Sequence, residues 1–463
     1  MKKKTPVIEF YRITRWKKHL KEVAQRRETK QKLKQKLEEQ DAANEQASQG
    51  HDKLHYDGAR ISNEFEVLCK NCQKPSKRVL RKGKVKFRVP KDFDIYENTE
   101  SVLQTLADFR ELALTRQVKY VKVIHNSVNN CMSSEALLGI LGSEIADLRE
   151  YNGDLLDMDG HIYDNPTTST LIKNMGIPAE LNDSTIIGEA TRSRSDVFWY
   201  SKDNRHFDSA SLTAEDIKNE TAEGCVDKLS KGLRNLLLAL NPDVESELKM
   251  CLGEILDNAQ EHCHRTAPTW YVRSYLNTNE QHKRYFELMV MNLGTSIAET
   301  FNILPDSSEA KADALTYVKA HKHLFSEEAL LTVAALQGNV SSKKDTEQTR
   351  GQGTVRLIET FENISKAYVK LRGKGNDTQK NEPIMNIVSG STVITFDGKY
   401  HSHLIEHGDG AEDVRISFNK EKSLKYPPDK TSVQSMSNAY FPGVIINIRI
   451  PLNGSITPLK KTA

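Results

Sequence analysis

The sequence predicts an α/β protein, because segments with the periodicity of strands alternate along the chain with segments that have the periodicity of helices. Residues 85–89 alternate apolar and basic side chains, which is the pattern of a half-buried strand. Residues 101–114 place apolar side chains three or four apart, as an amphipathic helix does. Residues 118–124 form an apolar, β-branched run typical of a buried strand, and residues 136–148 return to helical spacing.

The size and composition of the chain narrow its class. It has 463 residues, 37% of them hydrophobic, which suits about three folding units of roughly 150 residues. No apolar run approaches the roughly 18 residues of a membrane-spanning helix, and no apolar signal segment follows the N-terminus. The six cysteines are too few and too scattered for a disulfide framework, so we expect thiols in a reducing compartment. These features predict a cytoplasmic protein without a membrane segment.

Residues 1–75 are predicted to be a basic helical arm and a linker. Residues 1–40 hold fourteen Lys or Arg and five Glu, so the rest of the chain carries a net charge of about minus six. This pattern indicates a solvated helix; an arm that binds the phosphates of a nucleic acid is the alternative. Cys69 and Cys72 have the spacing of two zinc ligands, but a structural zinc site needs four. Two ordinary cysteines in an exposed turn are the other interpretation.

Residues 76–195 are predicted to be a small α/β domain, in which the strand at 118–124 leads through a polar loop into the next helix. Ser133 or Ser134 can cap that helix. The strand, loop and serine-led helix resemble the STAS domain of anti-sigma-factor antagonists. The resemblance implies that Ser134, or Ser133, is a phosphorylation site, and a plain helix cap is the alternative.

The segment at 245–265 carries the first sign of chemistry. Its apolar side chains repeat at three and four, so they form one buried face of a helix. Glu254 and Asn258 are four residues apart and lie one turn above the other beside that face. A carboxylate and an amide could converge on one ligand there, although such a pair is more often a solvated face.

The order of the segments that follow is more specific. A strand at 285–291 precedes Asn292-Leu293-Gly294, and a long polar insert at 295–349 precedes Gly351-Gln352-Gly353-Thr354 at the start of another amphipathic helix. Together with Glu254 and Asn258, these segments resemble the N-box, the two glycine boxes and the ATP lid of the GHKL ATPase superfamily. The resemblance covers roughly residues 205–455 and implies that residues 205–463 form a layered α+β sandwich, with helices on one face of a mixed sheet.

The resemblance also implies a role for each residue, and the chemistry of the side chains suits it. Asn258 would be the Mg²⁺ ligand, because an amide oxygen is a hard ligand. Glu254 would be the general base that takes a proton from the attacking water. Gly351 and Gly353 would let backbone N–H groups approach phosphate oxygens, and Thr354 would add a hydroxyl. Asn292 and Gly294 would contact the nucleotide base. The chain contains no Walker-type phosphate loop.

Three residues depart from the pattern of the superfamily. Asn292 stands where an aspartate usually accepts from the adenine amino group, and a neutral acceptor costs roughly tenfold in affinity. Val444 follows Gly443 where a threonine usually helps to bridge a water to adenine. Ser296 replaces the second glycine of the first glycine box. The sequence therefore predicts weakened or altered recognition of the base.

The leading functional prediction is an ATP-binding, Mg²⁺-dependent module that hydrolyses ATP slowly and switches its contacts with a protein partner as the lid closes. Three alternatives remain: a protein serine kinase of the anti-sigma type, a nucleotide sensor without turnover, and a nucleic-acid adapter that uses residues 1–40. The oligomeric state, including a homodimer, is left open.

Overall fold

A computed structural model describes residues 83–458, with gaps at 126–128, 152, 163–165, 182–195, 205–213, 236–237, 240–241, 263–268, 279–284, 338–351, 373–381, 407–411 and 452–456. The described residues all belong to one compact unit, 59–463. The predictions for residues 1–75, including the basic arm and a zinc site at Cys69 and Cys72, lie outside the described residues.

The upstream part of the unit alternates strands and helices. Its elements are β1 (Lys84–Val89), β2 (Asp92–Phe93), α1 (Thr99–Leu114), β3 (Tyr120–His125), β4 (Asn129–Asn130), α2 (Met132–Tyr151), β5 (Asp157–Ile162), α3 (Pro166–Met175) and α4 (Ile177–Glu180). Three of these strands form a parallel sheet in the order β1-β3-β5. Parallel neighbours need crossover connections, and α1 and α2 supply them, as the alternation in the sequence predicted.

The downstream part is larger. Its elements are β6 (Val197–Asp203), α5 (Ala214–Asn235), β7 (Leu238–Ala239), α6 (Pro242–His262), β8 (Thr269–Asn277), β9 (Tyr285–Leu293), α7 (Ile297–Ile303), α8 (Glu309–His321), α9 (Glu327–Ala335), α10 (Gln352–Arg372), β10 (Ile384–Gly390), β11 (Thr392–Phe396), β12 (His403–Glu406), β13 (Glu412–Arg415), β14 (Val433–Ser435), β15 (Phe441–Pro451) and β16 (Thr457–Pro458).

Seven of these strands form one sheet in the order β14-β11-β10-β15-β9-β8-β6. We predicted a mixed sheet, and this part of the prediction was wrong, because all six pairs of neighbours in this sheet are antiparallel. The connections explain the difference. A single residue joins β10 to β11, and such a short link permits only antiparallel pairing. The coarser prediction of a mixed α/β protein is confirmed.

Each face of the seven-stranded sheet is covered. One face packs against α5, α6, α10 and the three helices of the insert, through a helix-side cluster that includes Leu252, Leu256, Leu288, Val290 and Leu357. The opposite face packs against the upstream part, through an upstream-side cluster that includes Leu137, Ile140, Met289, Met291 and Ile445. The sheet is therefore the middle layer, and alternate residues of β9 face different halves of the molecule.

The insert begins as ordered helices. A serine caps each of α7, α8 and α9, at Ser296, Ser308 and Ser326, by accepting from a backbone N–H of the first turn. The buried side chains of these helices join the helix-side cluster. The helices of residues 297–335 thus pack on the core, and the last part of the predicted lid, 338–349, lies outside the described residues.

The described helices include none that is both long and apolar enough to cross a membrane. Among the cysteines, Cys131, Cys225 and Cys251 are buried free thiols, as expected. Burial raises the pKa of the Cys225 thiol to about 11 and that of the Cys251 thiol to about 12, so both remain protonated at neutral pH.

Candidate functional site

Helix α6 presents the two residues that the sequence singled out. Its apolar face, which includes Leu252 and Ile255, is buried against the sheet. Glu254 and Asn258 lie beside that face and are both partly exposed. The predicted spacing of one turn is therefore realised, and both side chains lie at the border between the core and solvent.

Glu254 forms an ion pair that the sequence analysis did not predict. Its Oε1 accepts from the Nη1 of Arg356, a residue of the first turns of α10 that is 102 positions later in the chain. The Glu254 side chain is 22% exposed. Its other oxygen, Oε2, is buried and has no hydrogen-bond partner among the described residues. One oxygen of the predicted base is therefore occupied, and the other lacks the partner that a buried acceptor normally has.

Asn292 lies near the end of β9, on the face whose other members join the helix-side cluster. It is 3% exposed, and its Nδ2 has no hydrogen-bond partner among the described residues. The sheet places it opposite Trp270 of β8 and Val444 of β15. Asn292 and Val444, two of the three residues that the sequence analysis singled out as departures, are thus direct cross-strand neighbours. A buried amide group without a partner costs about 1–3 kcal/mol, which a bound ligand or water would recover.

A second contact ties α6 to this end of the sheet. The Nε1 of Trp270 donates to the Oε1 of Gln260 at 2.8 Å, and Gln260 lies two residues after Asn258 on α6. Since Trp270 is also the cross-strand neighbour of Asn292, α6 and β9 are linked through one indole ring. This link could not be predicted from the sequence, because the pairing of β8 with β9 is a tertiary property.

Two glycines shape the backbone beside Asn292. Gly294 has φ +147° and Gly443 has φ +125°, a region that L side chains rarely adopt. A Cβ at Gly443 would lie 2.1 Å from the carbonyl oxygen of Asn292. Gly443 therefore permits the close approach of β15 to the end of β9. The side chain of Ser296 then accepts from the N–H of Glu299. This bond caps α7, which begins after the end of β9.

The second glycine segment lies at the N-terminus of α10. The helix begins at Gln352, so Gly353 and Thr354 fall in its first turn, where backbone N–H groups have no partner within the helix. Gly351 and the side chain of Thr354 lie outside the described residues. The pair formed by Arg356 and Glu254 places this end of α10 beside the middle of α6.

The serines at the start of α2 are inaccessible. Ser133 and Ser134 have no exposed surface, and the Oγ of Ser134 accepts from the N–H of Ile95 at 3.0 Å. The N–H of Met132, the first residue of α2, donates to the Oε2 of Glu287 at 2.9 Å. A carboxylate of β9 thus occupies the N-terminus of α2, where an anion is favoured. In this conformation neither serine is available for the phosphorylation that the resemblance implied.

Glu287 also belongs to a buried cluster of charges between the two parts. Arg449 of β15 donates to Glu287 at 3.3 Å and to Asp94 at 2.9 Å, and it lies over the ring of Tyr96 at 4.1 Å. Burial raises the pKa of Glu287, and Arg449 opposes that effect. Burial likewise lowers the pKa of Arg449, but the two carboxylates outweigh it and raise that pKa well above its usual value. The buried guanidinium of Arg449 therefore lies between two carboxyl groups that offset the cost of its burial.

Among the described residues there is no group of three or more His, Cys, Asp or Glu side chains that could hold a metal ion. A metal at this site would therefore depend on an amide such as Asn258 and on oxygens of a ligand. Comparisons of the chain with known protein families, with curated proteins and with solved structures find no match. The class that the fold defines is a mixed α/β protein with several sheets.

Proposed function

We propose that residues 205–463 form an ATP-binding, Mg²⁺-dependent module that hydrolyses ATP slowly and acts as a nucleotide-gated switch for a protein partner. The observation that carries the proposal is the pairing of Glu254 with Arg356, three residues after Gly353. It brings the predicted base next to the predicted phosphate segment, although about a hundred residues separate them in the chain.

The buried polar atoms without partners support the same proposal. Among the described residues, the Glu254 Oε2 and the Asn292 Nδ2 have no hydrogen-bond partner. Both belong to the segments that the sequence singled out, on two different elements. Other buried side chains of the described residues, such as Asn386 and Asn447, also have atoms without a partner, so these two support the proposal through their place in the predicted site.

Each residue would have a distinct role. Asn258 would hold Mg²⁺ through its amide oxygen, and the ion would neutralise phosphate charge when bound. The N–H groups at the start of α10, with Gly353 and Thr354, would cradle the phosphates. Asn292 would contact the base, next to Val444.

Glu254 would accept the proton of the attacking water. The oxygen of that water bonds to the terminal phosphorus as the bond from phosphorus to the bridging oxygen breaks, and the electron pair of that bond leaves with ADP.

A nucleotide sensor without turnover is the second candidate, and Asn292 and Val444 favour it. Asn292 offers a neutral acceptor where the resemblance implies a charged one, and Val444 offers no hydroxyl where it implies a threonine. Both would weaken the recognition of adenine, and slow or absent turnover would follow from low occupancy. The two candidates share the same site and differ in the use of Glu254.

The test is calorimetric titration with ATP and Mg²⁺, followed by measurement of phosphate release. We expect the wild-type protein to bind ATP, and Asn258→Ala to lose at least tenfold in affinity. We expect Glu254→Ala to bind ATP and to release phosphate at least a hundredfold more slowly. Equal release by the wild type and Glu254→Ala would favour the sensor. Label from the γ-phosphate on protein rather than in free phosphate would favour the serine kinase. No binding by the wild type would refute the proposal.

A further inference from the structure

Arg356 is placed where two anions can compete for it. Its guanidinium pairs with the Oε1 of Glu254, and its side chain is 43% exposed, whereas that of Glu254 is 22% exposed. The pair therefore lies at the rim of the site, with the cation on the outer side. Arg356 also lies one turn from the N-terminus of α10, which attracts anions in its own right.

From this geometry we propose that Arg356 is a switch residue, which pairs with Glu254 in the empty site and with the terminal phosphate of the nucleotide in the filled one. The inference rests on the proposed function of the same site. A planar guanidinium fits carboxylate and phosphate oxygens equally well, so the exchange needs a change of side-chain rotamer and no rearrangement of the backbone.

The exchange of partners by Arg356 would couple the binding of ATP to the release of the Oε1 of Glu254. While Arg356 holds the Oε1 of Glu254, that oxygen is not available to accept a proton from water. When the guanidinium moves to the phosphate, the oxygen is released and the terminal phosphate gains a positive partner. The residue would thus recognise the third phosphate and release the Oε1 of Glu254 in one movement. ADP lacks the terminal phosphate and would leave the pair with Glu254 intact.

A charge-assisted hydrogen bond between Arg356 and the terminal phosphate would make the affinity for ATP higher than that for ADP. We expect the wild-type protein to bind ATP at least tenfold more tightly than ADP in calorimetric titrations with Mg²⁺. Arg356→Gln should lower the affinity for ATP about tenfold and change that for ADP less than twofold, so the preference disappears. Arg356→Lys keeps a positive charge and should retain part of the preference for ATP over ADP.

The competing carboxylate provides an independent test. Glu254→Gln weakens the pair that ATP must break, so it should bind ATP several-fold more tightly than the wild type while its affinity for ADP stays the same. Lys366→Gln is the matched control, because Lys366 is an exposed cation of the same helix that pairs with Glu362 at 3.6 Å. It should bind both nucleotides as the wild type does.

The outcomes separate this inference from the proposed function. A wild-type protein that binds neither nucleotide overturns both. A wild-type preference for ATP that survives in Arg356→Gln overturns only the switch, as does an equal loss of ATP and ADP, which is what a merely structural role would give. If Arg356→Gln does not fold, as judged by thermal melting, Glu254→Gln decides: an unchanged affinity for ATP contradicts the switch.

Discussion

At the scale of single residues, the exchange of one atom group at Asn292 should change the affinity for nucleotide. Its side chain is almost fully buried, and its Nδ2 has no partner among the described residues. Replacing that NH₂ group with an oxygen leaves the volume nearly unchanged and converts the side chain to an acceptor with a full charge. The effect of this charge on affinity and stability depends on whether a bound ligand donates a hydrogen bond to it.

We predict that Asn292→Asp binds ATP about tenfold more tightly than the wild type, because an acceptor with a full charge forms a stronger bond to the adenine amino group. Without nucleotide the same variant should melt at a lower temperature, because its carboxylate is buried without a described partner. Calorimetry and thermal melting give the two readings. Asn363→Asp, at an exposed position of α10, is the control and should change neither. A variant that binds ATP no better than the wild type would contradict the assigned role of Asn292.

At the scale of elements, one link between the two parts of the unit is the contact of β15 and β9 with the start of α2. Arg449 and Glu287 are cross-strand neighbours on adjacent strands, and Asp94 reaches them from the upstream part. The backbone of Met132 adds a fourth contact. A buried cluster of this kind contributes little while it is complete, but the removal of one member leaves the others uncompensated.

We therefore predict that Arg449→Met lowers the free energy of unfolding by about 3–5 kcal/mol. Adding Glu287→Gln to that variant should restore part of the loss, because it removes one of the two stranded carboxylates. Denaturant titration provides the measurement. Lys122→Met is the control: Lys122 and Asp159 form an exposed pair at 3.9 Å, so the change should be within about 0.5 kcal/mol. If the two methionine variants lose equal stability, the charged cluster does not hold the parts together.

The elements also show how far the sequence could be interpreted. Periodicity predicted β9 and α6 within a few residues, because each has one buried face and its pattern is local. The direction of strand pairing was not local, and the mixed sheet was wrong for that reason. Glu254 and Asn258 could be singled out by their spacing on one helix. Arg356 could not, since its partner is 102 residues away and a single arginine on a helix is ordinary.

At the scale of the whole molecule, the seven-stranded sheet is a middle layer and depends on both neighbours. Its face toward the upstream part carries Tyr271, Met289, Met291 and Ile445, all of which are buried. Contiguous apolar patches of this kind are rarely exposed on monomeric proteins. The proposed ATP-binding part should therefore not behave as an independent soluble domain.

We predict that a chain truncated to residues 196–463, which keeps β6, binds a hydrophobic dye and scatters light as it aggregates. A chain that starts at residue 59 retains the whole compact unit and should do neither. Dye fluorescence and light scattering at equal concentration compare the two. A monomeric, dye-negative 196–463 chain would show that the sheet tolerates an open face and that the upstream part is dispensable for folding.

The contact between Glu287 and the start of α2 also determines how late in synthesis the two parts can assemble. The two contacting residues are 155 positions apart, so at about 5–20 residues per second the ribosome delivers Glu287 roughly 8–30 s after Met132. Arg449 follows another 162 positions later. During that interval the upstream part must wait with one face uncovered and Asp94 uncompensated. The nascent chain is therefore most exposed to chaperones and proteases before β15 emerges.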